Sequence, residues 1–443
     1  MFALPAGASA AETTETFTTG PITVGGYQVK QEVLGAQAPK LDGHIIRMEA
    51  DIVDENGEQI PIQRLMLHHI AFLNLHQTDR TCSSYELWDG STSSFMPERF
   101  FAAGEERQSL VFPPGYGYAS TDDNAWALAY MVMNHRSSTD TAYIKYTVTV
   151  DDDPQIKDVH PYWLDVVNCQ ADPIYNVPGT GAKGSTHTRS RDFVIPEAGR
   201  LIAAGGHLHG GGERISLTQP DCGNRELGRS EPTWGLPDHP FYNVKPVLHE
   251  PGPINMTGFG TPTGIPIAAG QSLRINSVYD NTRPHVRVMG IMVAFIAPDP
   301  SVSDGCAPLP SDMISVGTGQ PGRPGPVRYR IPLTGLDENS EAVTITAPPG
   351  PVKRMPRGGE VAIDDQAFSP PNVEIRKGAR FDYRFSGSEL HNVTFVNGPR
   401  AIGSPNLDDG RVYSQRFQDK GTYRLFCALH PVRMHERVIV TGK

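Results

Sequence analysis

YRLFCALHPVRMHERVIV, residues 423–440, carries the architecture of the last part of the chain. It reads as a strand, a tight loop and a second strand. The loop supplies Cys427, His430 and Met434, and upstream LHNVTFVN (390–397) sets His391 at the head of another strand. Two imidazoles and a thiolate in one plane, with a weak axial thioether, select copper and suit one-electron transfer. Soft sulfur favours the cuprous state, imidazole tolerates the cupric one, and a rigid loop keeps reorganisation small. The competing reading is a buried free cysteine with incidental histidines. His435, next to Met434, alternates to the other side of its strand and is expected at the surface.

Residues 358–443 resemble the cupredoxins, the family of plastocyanin, azurin and amicyanin. The resemblance takes in AFSPPNVEIRKGARFDYRF (367–385) and GTYRLFC (421–427). It implies a Greek-key β-sandwich holding one blue copper ion through His391, Cys427, His430 and Met434. The Cys-x-x-His spacing is like that of plastocyanin and amicyanin, whereas the His-x-x-x-Met gap is closer to azurin.

Upstream, helical periodicity is almost absent. Short alternating runs such as YIKYTVTV (143–150), ERISLTQ (213–219) and SLRINSVY (272–279) are bounded by Gly, Pro, Asn or Asp, the pattern of an all-β sandwich protein. Proline and glycine concentrate over 297–358, which reads as an extended linker with one or two strands, VRYRIPL (327–333) among them. A weaker boundary follows DDDP (151–154). The expected organisation is a disordered start over 1–20, sandwiches over 21–160 and 161–300, a linker over 301–357, and the cupredoxin segment over 358–443.

The net charge of −10 and pI near 5.8 argue against nucleic acid as a partner. No apolar run approaches the ~18 residues that span a bilayer, so no membrane span is expected. MFALPAGASA (1–10), with Ala8 and Ala10 in a small-x-small pattern, reads as the remnant of a signal peptide and points to a secreted or periplasmic protein. Once Cys427 is assigned to metal, Cys82, Cys169, Cys222 and Cys306 can form two disulfides in any of three pairings.

Four segments carry histidines in a suggestive order: LMLHHIAFLN (65–74), AWALAYMVMNHRSS (125–138), LIAAGGHLHGGGERISL (201–217) and RPHVRVMGIMVAFIAP (283–298). His207 and His209, two apart on a strand, project to one face and can reach one ion. A methionine from a distant strand would complete a set that holds reduced copper with a position open for dioxygen. His68 and His69 face opposite ways on a flat strand, so they share an ion only if the strand bulges or the rings bend back through their inner nitrogens. With His135 they would form a three-histidine site. Each histidine alone reads as a packed core residue. His239 and His249, in a Pro-rich loop, are expected at the surface, and His285 either lines the second site or is structural.

This order of motifs resembles the copper type II, ascorbate-dependent monooxygenases, the family of peptidylglycine α-hydroxylating monooxygenase and dopamine β-monooxygenase. The same motifs are similar to the plant Nod19-type proteins. The monooxygenase resemblance spans roughly residues 40–300 and implies two jelly-roll sandwiches. It implies an electron-supplying copper at His68, His69 and His135, and an oxygen-binding, catalytic copper at His207, His209 and Met289, with Met292 as the alternative methionine. Where the peptide-amidating enzyme grips a carboxylate, this chain has Gly205, Ile291 and Val293, so a smaller, more apolar wall facing the substrate is expected, and peptide amidation is not. The implied function is an exported copper monooxygenase that hydroxylates a C–H bond of a small molecule with dioxygen. The cupredoxin segment would relay electrons from a small reductant or a redox protein. The alternative is a non-catalytic secreted copper-binding or electron-transfer protein.

Overall fold

A computed structural model describes residues 11–442 apart from 83, 88–90, 168, 171, 317–321, 324 and 328–330. The signal-peptide reading of residues 1–10 and the middle of VRYRIPL lie outside the described residues. Among those described there is no α-helix; strands and two short 3-10 turns make up the regular structure.

Three β-sandwiches follow one another along the chain. In the first, a six-stranded sheet of Glu12–Val24, Asp140–Asp151, Gly43–Val53, Tyr116–Ser120 and Lys157–Asp158, with Leu110–Val111 beside Gly43–Val53, accompanies a four-stranded sheet of Val29–Ala36, Trp126–Asn134, Leu65–Thr78 and Pro97–Gly104. Ile52 and Tyr146 from one sheet and Phe72 and Leu128 from the other share a single core, as period-two alternation requires. The second joins a five-stranded sheet (His160–Asp165, Gly290–Pro298, Gly199–Leu208, Gly258–Ile267, Ile314–Val316) to a four-stranded one (Thr186–Val194, Ser272–Asp280, Gly212–Gln219, Arg225–Ser230). The third, from Lys353 to Thr441, mixes directions: Asn372–Arg376 runs parallel to His435–Thr441, and Gly358–Ile363 parallel to Arg380–Phe385.

Two expectations need correction. Residues 12–20, read as part of a disordered start, belong to the edge strand Glu12–Val24, whose threonines pair with those of Asp140–Asp151 (Thr14 with Thr149 at 3.0 Å, Thr16 with Thr147 at 3.1 Å). A Thr-rich run is polar enough to look disordered, yet β-branched residues suit an edge strand. The segment 301–357 is more than a tether. Ile314–Val316 adds to the second sandwich, Thr334–Leu336 pairs with Ala342–Thr344, and Tyr27 OH donates to Glu341 at 3.0 Å.

The strand Gly290–Pro298 shows how the sandwiches dock. It is buried on both faces apart from Pro298. Met292, Ala294 and Ile296 join the second core, while Met289, Ile291, Val293, Phe295 and Ala297 join the core of the first. Likewise, Leu128, Tyr130 and Val132 face the first core, whereas Met131 and Met133 pack with the third sandwich. Disulfides join Cys82 to Cys169 and Cys222 to Cys306. The first ties the first sandwich to the second, and both are consistent with an extracellular protein. No helix among the described residues is long and apolar enough to cross a membrane.

Candidate metal centres

The loop between Gly421–Phe426 and His435–Thr441 is shaped by its own backbone. Cys427 N–H donates to Met434 O at 3.0 Å, His430 N–H to Cys427 O at 3.1 Å, and Met434 N–H to His430 O at 3.1 Å. Cys427 Sγ then stands 3.8 Å from His391 Nδ1 and 3.7 Å from His430 Nδ1. An ion about 2.0 Å from nitrogen and about 2.3 Å from sulfur, at trigonal angles, needs an edge of about 3.7 Å. The donors therefore fit a metal without rearrangement. His391 Nε2 donates to Asp365 at 3.0 Å and His430 Nε2 to Glu389 at 2.7 Å, which directs both Nδ1 lone pairs at the sulfur. Cys427 and Met434 are fully buried. Asn392 clamps the loop by accepting Ala428 N–H at 2.8 Å. His435 is not at the surface: it is buried and donates Nε2–H to Pro431 O at 3.0 Å, because the ligand loop folds back over the start of its strand.

The other histidines meet where the first and second sandwiches dock. Met131 pairs with His69 and Val132 with Leu67, so His68 is the extra residue of a β-bulge. The bulge brings the rings of His68 and His69 to 5.2 Å. On Gly199–Leu208, His207 pairs with Ile291 and so shares the inter-sandwich face, as does Met289. The His207 and His209 rings are 5.0 Å apart, and His209 lies 4.8 Å from His68. The two histidine pairs, expected at separate ions, thus form one cluster. Met292 is fully buried in the core of the second sandwich, facing away from it.

The supporting groups leave lone pairs open. His207 Nδ1 donates to Glu106 at 2.8 Å, His209 Nδ1 to Arg287 O at 2.9 Å and His135 Nδ1 to Pro246 O at 3.2 Å. In all three, Nε2 is buried without a hydrogen-bond partner, as is His69 Nδ1. Burial pushes His69 and His209 well below their ordinary values and His135 down to about 4. Such rings are neutral at pH 7, the form that binds metals. His207 differs: burial alone would lower it, but Glu106 holds it above its usual value.

Sequence reasoning missed three participants, His249, Glu105 and Glu106. His249, expected at the surface, lies with its ring 4.9 Å from His68, and Glu105 Oε1 contacts both His68 Nδ1 and His249 Nε2. Burial alone would raise the Glu105 carboxyl, but His249 and His68 hold it well below the usual carboxylate range. Nothing in the spacing announces His249. Glu105 and Glu106 were more visible: consecutive carboxylates directly after the apolar strand FFAAG (100–104). His285 is buried, donates Nδ1–H to Glu250 at 2.8 Å, and leaves Nε2 buried without a hydrogen-bond partner. Its ring lies over Gly211, whose φ of +85° and close contact leave no room for a Cβ.

Two cavities adjoin the cluster. One of about 420 Å³ is lined by His69, His207, Glu106 and Met289 and otherwise mainly by apolar side chains; Gly205, Ile291 and Val293 form part of its wall. A smaller one of about 60 Å³ is lined by His68, His69, His209, His249 and Met289, and on its far side by Phe426, Ala428 and Leu429 of the cysteine loop. A hydrogen-bonded path also joins the two regions. Ala428 N–H donates to Asn392, Asn392 Nδ2 to Asn406 Oδ1 at 2.9 Å, and Arg287 to the same oxygen at 2.7 Å, while Arg287 O accepts from His209.

A β-sandwich that buries Cys427 between His391 and His430 offers a soft sulfur and two imidazoles, a donor set suited to one-electron transfer at a metal. Comparison with known proteins agrees. Amicyanin-alpha of Methylorubrum extorquens is 33% identical over 93 residues, which are 20% of this chain and 77% of that protein. The chain belongs, by this part of its length, to the amicyanin family of cupredoxins. Among solved structures, a purple cupredoxin from Nitrosopumilus maritimus is 25% identical, covering 19% of this chain and 99% of that one at a TM-score of 0.18. A reduced Cu(I) form of an amicyanin mutant is 28% identical over 18% of this chain and 80% of that one, also at 0.18. A family described as "Stress up-regulated Nod 19" matches residues 130–299. The similarity to amicyanin-alpha supports copper binding or electron transfer.

Proposed function

We propose that the protein is an exported copper-dependent monooxygenase in which the cupredoxin unit passes electrons from a redox partner or small reductant to the histidine cluster. His391, Cys427, His430 and Met434 would hold one blue copper ion. His207, His209 and Met289 would hold the copper that meets dioxygen, and His68, His69 and His135 would hold a second. Bound there, copper would supply the one-electron steps that let dioxygen attack a C–H bond.

The observation that carries this reading is the path from the cysteine loop through Asn392, Asn406 and Arg287 to His209. Without such coupling, a cupredoxin unit beside a histidine cluster would be two unrelated metal sites. The remaining residues suit the division of labour. Glu106 and Arg287 O fix the tautomers of His207 and His209, so that Nε2 faces the inter-sandwich space. Gly205, Ile291 and Val293 give the 420 Å³ cavity an apolar wall, which fits a small, largely apolar substrate. No cationic grip for a carboxylate stands at those three positions, so amidation of peptides is disfavoured.

The test is a metal count together with oxygen consumption. Three coppers per chain, with oxygen uptake on adding ascorbate, are expected; one blue copper and no uptake would return the protein to plain electron transfer. Cys427→Ser should slow turnover driven by a protein donor at least about 100-fold more than turnover driven by ascorbate. Equal loss with both donors would remove the relay.

A further inference from the structure

We propose that His249 is a copper ligand alongside His68, and that Glu105 positions both rings by accepting a hydrogen bond from each. This rests on the reading above that the histidine cluster takes copper, and it adds two residues to that site.

The geometry supports it in three ways. First, His68 Nδ1 and His249 Nε2 both meet Glu105 Oε1. With those nitrogens donating, the lone pairs sit on His68 Nε2 and His249 Nδ1. A carboxylate on the second nitrogen of an imidazole fixes its tautomer and raises its basicity toward a metal. Glu106 stands to His207 in the same relation. Second, Glu105 is itself held: its other oxygen accepts Gly252 N–H at 3.0 Å, and a Cβ on Gly252 would come within 2.8 Å of that oxygen. Its side chain is only 5% exposed. A buried carboxylate that tightly arranged is oriented for a purpose beyond surface pairing. Third, His68 and His249 line the same 60 Å³ cavity as His69, His209 and Met289, a space large enough for an ion with a water molecule.

His249 comes from the second sandwich and His68 and Glu105 from the first, so the arrangement exists only when the two are docked. The loop carrying His249 is tied to the cluster a second time, where Pro246 O accepts from His135. Four imidazoles around one small cavity form a nitrogen-rich environment that suits copper in either oxidation state.

The experiment uses the full chain loaded with copper, with pulsed EPR to count the imidazoles coupled to the non-blue ions. His249→Gly should remove one coupled imidazole and weaken one copper at least about tenfold. Free imidazole added to that variant should restore both, a response that loss of packing would not give. Glu105→Gln should weaken the same copper by about 10–100-fold while the blue absorption stays unchanged. An unchanged imidazole count and copper affinity in His249→Gly would overturn the assignment and leave His249 as a hydrogen-bond partner only. If the unaltered protein binds blue copper alone, the reading of the cluster itself falls, and this assignment with it.

Discussion

The cysteine loop and the histidine cluster solve the same problem in opposite ways. In the third sandwich, Cys427, His430 and Met434 come from one turn whose backbone hydrogen bonds close on themselves. That site lies within one sandwich, with His391 brought in from 36 residues upstream, so its geometry is set by the fold of that unit alone. In the cluster, His68 and His69 come from the first sandwich and His207, His209, His249 and Met289 from the second. Its geometry is a property of docking. A local site is held by its loop, whereas a shared site is only as firm as the interface that assembles it.

The heaviest consequence follows from the tie across that interface. Cys82 and Cys169 are 87 residues apart in sequence, and closing a loop of that size stabilises by roughly 4–5 kcal/mol. Replacing both with alanine should lower the unfolding midpoint of the first two sandwiches and loosen copper at the cluster, with the blue centre unaffected. Parallel loss of both kinds of site would show that the third sandwich depends on the same interface. Calorimetry with the blue absorption as an internal probe distinguishes these.

A second test separates the two methionines. Met292→Ala empties a fully buried core position and should cost about 2–5 kcal/mol of stability with the copper count retained. Met289→Ala should instead weaken cuprous copper. If Met292→Ala removes the metal and Met289→Ala does not, the face argument from Gly290–Pro298 is wrong.

The mildest change should come in acid. In metal-free protein, His69, His135 and His209 have folded values below the ordinary one, so the unfolded chain binds more protons. Stability is then complete above about pH 6.5 and declines as pH falls toward the folded values. For His135, brought from an ordinary 6.5 down to about 4, the full loss is about 3 kcal/mol at roughly 1.36 kcal/mol per unit. Urea titrations at pH 7 and pH 5 should show the first two sandwiches weakening more than the third. A midpoint that holds steady across that range would mean these rings are not neutral in the folded state.

Legibility in the sequence follows the same division. Alternating runs are enough to read an all-β chain, because a half-buried strand writes its face into every second residue. They are not enough for residues such as Thr14 and Thr16, which pair at an edge with no apolar face to show. Adjacent histidines can act together through a bulge or by bending back through their inner nitrogens, and the strand does bulge at His68. His435 escapes a reading by alternation, which says which side a residue takes, not that a loop covers that side.

Local sequence was sufficient for the all-β character and for setting Cys427, His430 and Met434 in one turn, since residues a few positions apart cannot escape one another. Folding in three dimensions was needed to settle that Cys82 pairs with Cys169, that Met289 rather than Met292 faces the histidines, and that His249 lies beside His68. Each of these depends on which surfaces two sandwiches bury against each other. That choice is the sum of many weak apolar contacts spread along the chain, so no short motif records it.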